Sequence, residues 1–189
     1  MPTIQTRKER ERAERHRLIL EAARELAEAE GWEAVTTRRL AERIEYSQPV
    51  LYSHFAGKGA IVDAVALQGM GELADELERA VAAAGPDGGP AALAAAYTAF
   101  AAANPALYEA MLTMGTTLSF GTGESPPELV RAFTLLYRVL APRAGTADPE
   151  TYVETFWAAL HGLVLLTGSG RLRPGLDEQR LALLLERLG

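Results

Sequence analysis

Cysteine is absent from the 189-residue chain, which excludes a disulfide framework, a thiolate metal site and a cysteine nucleophile. Histidine occurs only three times, at His16, His54 and His161, so few side chains can act as bases at neutral pH. The chain has no G-x-S-x-G, no G-x-x-x-x-G-K-[ST] and no H-E-x-x-H. These absences argue against an enzyme, and neither a cofactor nor a metal is expected. Long apolar runs are missing too. The charge-free apolar stretch at residues 155–170 holds 16 residues and carries His161, short of the roughly 20 needed to span a bilayer. Met1 to Thr6 leads into charges rather than into an apolar signal region. A cytoplasmic protein that does not enter the membrane is expected.

What the chain does hold is apolar material, 48% of its residues, enough for a core in one medium domain or two small ones. Strand-type alternation is nearly absent while helix starts and stops recur throughout, so the expected fold class is all-α. Charge is unevenly shared. Residues 1–60 hold 11 Lys and Arg against 10 Asp and Glu, net +1, and residues 61–189 hold 8 against 15, net −7. Arg7, Lys8, Arg10, Arg12, Arg15 and Arg17 face only Glu9, Glu11 and Glu14. Such a segment suits either attraction to phosphate or a solvated helix end laced with i, i+4 pairs.

The stretch from Thr36 to Asp63 carries the most information. Thr36 or Thr37 can cap a short helix whose Leu40, Ala41 and Ile44 share one face, leaving Arg38, Arg39, Glu42 and Arg43 to water. After Glu45-Tyr46, Ser47 can cap a second helix with Pro49 in its first turn, where the missing N–H costs nothing. Val50, Leu51 and Phe55 are placed to anchor that helix inward. Gln48, Tyr52, Ser53 and His54 then project outward, where amide and hydroxyl groups can pair with base edges or phosphates in a major groove. Lys58, just beyond, suits a phosphate.

Thr36-Thr37-Arg38, the run from Gln48 to Phe55 and Lys58 together resemble the TetR family of bacterial transcriptional regulators. Ile19, Ala22, Ala23, Leu26 and Ala27 followed by Gly31-Trp32 are similar to the family's first helix and its glycine stop. The resemblance implies a three-helix helix-turn-helix domain with a basic N-terminal arm over residues 1–60. It also implies a larger helical domain for effector binding and dimerisation over residues 61–189, about nine helices in all. On it, the DNA-binding residues are Thr36, Thr37, Arg38, Ser47, Gln48, Pro49, Val50, Tyr52, Ser53, His54 and Lys58. The partner is a double-stranded DNA operator and the function that of a ligand-responsive repressor. An activator or dual regulator of the same fold stays open, as does a helical interaction protein that no longer reads DNA. The chain departs from the family pattern at Glu45, where a glycine is usual in the turn. A non-glycine residue forced to positive φ there costs roughly 1 kcal/mol. Gly57 and Gly59 flank Lys58 and weaken the start of the next helix by about 0.5–1 kcal/mol each relative to alanine.

Beyond the motif, the pattern predicts a helix from about Lys58 to Ala84, ended by the Gly85-to-Pro90 break, and a second over residues 91–103. Asn104-Pro105 opens another, Gly121-Thr122-Gly123 interrupts, and Ser125-Pro126-Pro127-Glu128 supplies a capping box. Asp148-Pro149-Glu150 starts a penultimate helix, and a last amphipathic one carries Leu181, Leu184, Leu185 and Leu188. By the family resemblance these last two helices pair with those of a second copy, and Ala158, Ala159 and Gly162 permit close approach; an intramolecular core is the competing account. Tyr97, Phe100, Tyr108, Met111, Met114, Phe120, Phe133, Tyr137, Phe156, Trp157 and His161 form a set of large side chains. They suit either plain core or a pocket for an apolar or aromatic effector with a few polar handles. Asn104 to Tyr108, with Trp157 and His161-Gly162, is similar to the TetR subgroup whose ligand-binding domain is named after a Trp-His-Gly pattern. Residues 111–120, next to Gly121, are the segment expected to move.

Overall fold

In the computed structural model, which describes residues 4–118 and 125–188, the chain is helical throughout, with no strand among the described residues. The α-helices are α1 (Ile4–Glu30), α2 (Thr37–Arg43), α3 (Gln48–Tyr52), α4 (Lys58–Ala103), α5 (Pro105–Leu112), α6 (Pro127–Leu140), α7 (Pro149–Gly168) and α8 (Asp177–Leu188). Short 3-10 turns follow α1 and α6 at Trp32–Ala34 and Ala141–Arg143. The all-α expectation is met, and α4 counted as two segments gives the nine helices expected.

The chain forms two compact units. The first comprises residues 1–69 and 105–118, the second residues 70–104 and 119–189. In sequence terms a division at residue 60 is the simple one. In space α5 belongs with the first unit, because the Trp32 indole donates to the Ala106 carbonyl at 2.7 Å and the Glu28 carboxylate accepts from the Ala106 and Leu107 amides at 3.1 and 3.0 Å. At Gly69 α4 passes close against α5. A Cβ there would lie 2.7 Å from both Leu107 Cδ1 and Met111 Sδ, so only glycine fits without moving buried side chains.

Within the first unit, Ile19, Ala23 and Leu26 of α1 are buried together with Leu40 of α2, Leu51 of α3, Phe55, and Ile61 and Val65 of α4. Each such side chain removed from water contributes on the order of 1.5–3 kcal/mol, whereas the ion pairs Arg39–Glu30 (2.7 Å) and Arg43–Glu25 (2.8 Å) that join α2 to α1 are solvent-exposed and worth about 0–1 kcal/mol. Packing therefore sets the arrangement, and the ion pairs trim it. Thr36 caps α2 by accepting from Arg39 N–H at 3.2 Å. Ser47 stands at the N-cap of α3 without a side-chain cap bond, and Pro49 sits in the first turn as expected.

In the second unit the core comprises Leu73 and Leu77 of α4, Leu93 and Tyr97 further along it, Leu136 and Leu140 of α6, and Val153, Phe156 and Leu160 of α7. The predicted break at Gly85 is present, with φ 72° and ψ −173°, so α4 is two helices across a kink, but the second starts at once and residues 86–90 are helix rather than linker. Glycine takes that backbone conformation without the steric cost other residues meet, and Pro86 suits the first turn of the helix that follows. Two further differences concern helix starts. The N-cap of α6 is Pro126, one residue later than the Ser125 of the predicted capping box. For α5, the first amides go to Glu28 of α1. The Gly121-Thr122-Gly123 interruption lies outside the described residues. Asp148 caps α7 as expected, accepting from Thr151 N–H at 2.8 Å, and that bond holds its carboxyl below the usual range.

Glu45 is the single non-glycine residue at positive φ among the described residues, at 57°. It is exposed, so replacement tests backbone strain alone. Glu45→Gly is expected to raise stability by about 0.5–1 kcal/mol, read as a higher urea midpoint at unchanged slope; an unchanged or lower midpoint would show a turn without strain.

Candidate nucleic-acid interface

The turn between α2 and α3 is closed by backbone bonds from Ile44 N to Leu40 O (3.0 Å) and Tyr46 N to Ala41 O (3.0 Å), with Glu45 in the left-handed conformation between them. This reversal places Thr37, near the start of α2, beside Tyr52 at the end of α3, their hydroxyls 3.4 Å apart. Ser47, Gln48, Pro49, Tyr52 and Ser53 are exposed, as are Thr36 and Arg38, while Thr37 and Val50 are half-buried. Tyr52 is 53% exposed although the residue before it, Leu51, is fully buried. The outward face of α3 and the start of α2 thus form one surface of hydroxyl, amide and guanidinium groups. Arg38 also pairs with Glu42 one turn on, at 2.9 Å. The Ser53 hydroxyl donates to the Val50 carbonyl at 2.6 Å, which leaves its oxygen as an acceptor.

Two predicted members of this surface are placed differently. His54 does not project outward: regular helix stops at Tyr52, and the His54 ring is half-buried, 6.3 Å from the ring of His16 on α1, with Nδ1 buried and unpartnered. Burial, reinforced by the positive field of Arg12, Arg15 and His16, pushes its pKa below the usual histidine value. His16 in turn stacks on Phe55 with ring centroids 4.5 Å apart. Lys58 is half-buried, and its ammonium donates to the Trp32 carbonyl at 2.6 Å, so the flanking glycines do not loosen it.

Residues 7–14 of α1 are exposed along their whole length. The basic N-terminal segment is therefore an extension of α1 from Ile4, and i, i+4 pairing occurs within it, Arg7 to Glu11 at 2.9 Å. Arg7, Arg10, Arg15 and Tyr46 line an open groove together with Glu11 and Glu14. Tyr46 was legible only as a turn residue; its proximity to α1 depends on tertiary packing that no local pattern reports.

Of the effector candidates, Tyr97, Phe100, Phe133, Tyr137, Phe156, Trp157 and His161 fall in the second unit and Tyr108, Met111 and Met114 in the first; Phe120 lies outside the described residues. Tyr97 and Phe156 are fully buried, and the Trp157 indole donates to the Tyr97 hydroxyl at 3.0 Å. His161, half-buried one turn further along α7, has its pKa lowered by burial. Tyr137 is exposed, whereas Tyr108 and Met111 are buried in the packing of α5.

Residues 19–65 match the model of bacterial regulatory proteins of the tetR family, and residues 91–188, more than half of the chain, match a tetracyclin repressor-like C-terminal domain. The chain belongs to the TetR family. An uncharacterised HTH-type transcriptional regulator of Bacillus subtilis, YobS, is 35% identical over 96 residues, covering 51% of this chain and 50% of that protein. This chain thus spans about half the length of that relative. The class C tetracycline repressor of Escherichia coli is 50% identical over 48 residues, 25% of this chain and 22% of the repressor. Among solved structures, a protein of unknown function from Rhodococcus sp. RHA1 superposes with a TM-score of 0.75 at 26% identity over 92% of each chain.

The environment of His54 predicts a pH dependence. With a folded pKa below the unfolded value near 6.5, the folded state holds the neutral ring. The stability this supplies is present above about pH 6.5 and is lost as pH falls through the folded pKa. The urea midpoint of the chain is expected to drop between pH 7.5 and 5.5, and by less in His54→Gln; equal drops would place the titrating group elsewhere.

Proposed function

We propose that the chain is a DNA-binding transcriptional regulator that reads a palindromic operator as a homodimer and acts as a repressor relieved by a small effector. The observation that carries it is the exposed surface of Gln48, Tyr52 and Arg38, with the half-buried Thr37 beside Tyr52, on a helix pair anchored by the buried Leu40, Ala41 and Leu51. Family membership supports the same function. Side chains that hydrogen-bond base edges discriminate by about 1–3 kcal/mol per good contact, and two copies of so short a helix are needed for useful specificity, spaced by about one duplex turn.

The second copy has a surface to meet. No residue of α8 is buried, Leu183 is 55% exposed, and Leu165 and Leu166 of α7 are 40% exposed. On α7, a Cβ at Gly162 would meet nothing of its own chain within 4 Å. An apolar two-helix face of this kind suits burial against its twin. For the effector, the grouping of Tyr97, Phe156, Trp157 and His161 favours a largely apolar or aromatic molecule. The expected mechanism is a shift between two spacings of the paired α3 helices; about 3 kcal/mol of differential effector affinity changes operator binding more than a hundredfold.

Selection of random duplexes on the purified chain at about 150 mM salt is expected to enrich one palindrome. On that duplex Tyr52→Ala or Gln48→Ala is expected to weaken binding by about tenfold or more; undiminished affinity in Tyr52→Ala would remove α3 from the interface. Leu183→Glu is expected to turn a dimer into a monomer in sedimentation and to weaken operator binding with it. A Leu183→Glu chain that stays dimeric would place the interface off α8.

A further inference from the structure

The end of α3 meets α1 through aromatic rings. After Tyr52 the chain leaves regular helix with the amides of His54 and Phe55 both donating to the Leu51 carbonyl at 2.9 Å. The buried Phe55 ring stacks on His16 of α1 at 4.5 Å between centroids, and the His54 ring lies 6.3 Å from the same His16. In this seam His54 Nδ1 is shut off from water without a hydrogen-bond partner, and so is the Nε of Arg15, the residue before His16. Among the described residues, the titratable and charged groups that bear on His54 are Arg12, Arg15 and His16 of α1, with no carboxylate. Elsewhere around it, Lys58 at the start of α4 turns to the Trp32 carbonyl, and the Tyr52 hydroxyl of α3 meets that of Thr37. A neutral imidazole can keep Nδ1 there as an unused acceptor. A protonated ring cannot, because both nitrogens then carry N–H groups and Nδ1 becomes a buried donor with no acceptor, close to two guanidiniums.

From this geometry we infer that the His16–His54 seam is a proton-sensitive clasp on the DNA-reading helix: with His54 neutral the end of α3 is held against α1, and on protonation His54 leaves the seam and the last turn of α3 loosens. The inference rests on the DNA-reading function proposed above and adds acid as a control on it. Tyr52, 53% exposed, gains little from packing of its own, so its position follows from the buried Leu51 before it and Phe55 beyond it. A ring released to water binds a proton more readily than one in the seam, where burial and the neighbouring cations hold its pKa down. The clasp is therefore closed above about pH 6.5 and opens as pH falls through the lowered value of the seam. Operator affinity falls with it. A His54 that served instead as a phosphate contact would give the opposite sign, since DNA would stabilise the charged ring.

Amide hydrogen exchange on the full chain without DNA, corrected for the intrinsic pH dependence of exchange, tests the clasp. Between pH 7.5 and 5.5, protection at His54 and Phe55 is expected to fall about threefold or more, while Ala23 in the middle of α1 keeps its own. His54→Gln, neutral at both pH values, is expected to show less than about half of that fall in protection at Phe55. Arg12→Gln removes an exposed cation that opposes the charged ring, and is expected to move the midpoint of the fall to higher pH. No fall, a fall shared equally by Ala23, an undiminished fall in His54→Gln or an unmoved midpoint in Arg12→Gln overturns the clasp. If His54→Gln does not fold, the Arg12→Gln midpoint decides. On the duplex enriched in the selection, at constant salt, wild-type affinity is expected to drop about threefold or more over the same range and that of His54→Gln to hold within about twofold. Wild-type affinity that rises or stays level overturns the clasp. Failure to enrich any duplex would defeat the DNA-reading function alone, because protection in the free chain still decides whether acid opens the seam.

Discussion

The buried hydrogen bond between the Trp32 indole and the Ala106 carbonyl joins residues 74 apart in the chain, and much of the first unit is arranged around it. An indole N–H taken out of water needs an acceptor, and leaving it without one costs about 1–3 kcal/mol. Satisfying it fixes the start of α5 against the end of α1. That placement in turn requires α4 to pass α5 with a glycine at residue 69, because Leu107 and Met111 already fill the space that a larger side chain would need. A helix lying far along the chain thereby becomes part of the N-terminal unit, and the spatial division no longer follows the sequential one.

The local features of the helix-turn-helix were legible in the sequence because their causes are local. A hydroxyl three residues before an amide makes the Thr36 cap, a non-glycine residue in a tight reversal takes positive φ at Glu45, and Pro49 fits a first turn. Asp148 before Pro149 is the same kind of signal and the same kind of success. What stayed hidden depends on residues distant in sequence. Nothing near Pro105 announces that Glu28 receives the first amides of α5, and nothing near Lys58 announces that its ammonium ends on the Trp32 carbonyl. His54 sits in a polar run that reads as outward-facing, yet regular helix ends two residues before it and its ring turns toward α1. At Gly85 a strong stop signal was read correctly as the end of one helix and wrongly as the start of a linker, since the next helix begins directly after it rather than at residue 91.

The electrostatics of the first unit follow a similar division. Arg39 and Arg43 are engaged with Glu30 and Glu25 on α1, and Arg17 pairs with Glu14 and Glu21 within α1, so these cations are screened by partners of their own. An acidic chain of net charge −6 with a patterned rather than massed basic surface is poorly suited to coating nucleic acid indiscriminately. In the DNA-reading role proposed above, discrimination falls to the hydroxyl and amide groups around Thr37, Gln48 and Tyr52, which contribute little until they meet the right base edges.

The last helix has no buried residue of its own chain, although the Tyr152 hydroxyl holds its final turn by donating to the Leu188 carbonyl at 2.6 Å. Leu181, Leu184, Leu185 and Leu188 are only half-buried, so a cover over α8 would add to its stability. With a second copy as that cover, the amount of assembled regulator rises as the square of chain abundance at low expression and linearly once dimers predominate. The cell would then read the number of copies it makes as a threshold, set by how much leucine surface α7 and α8 leave open.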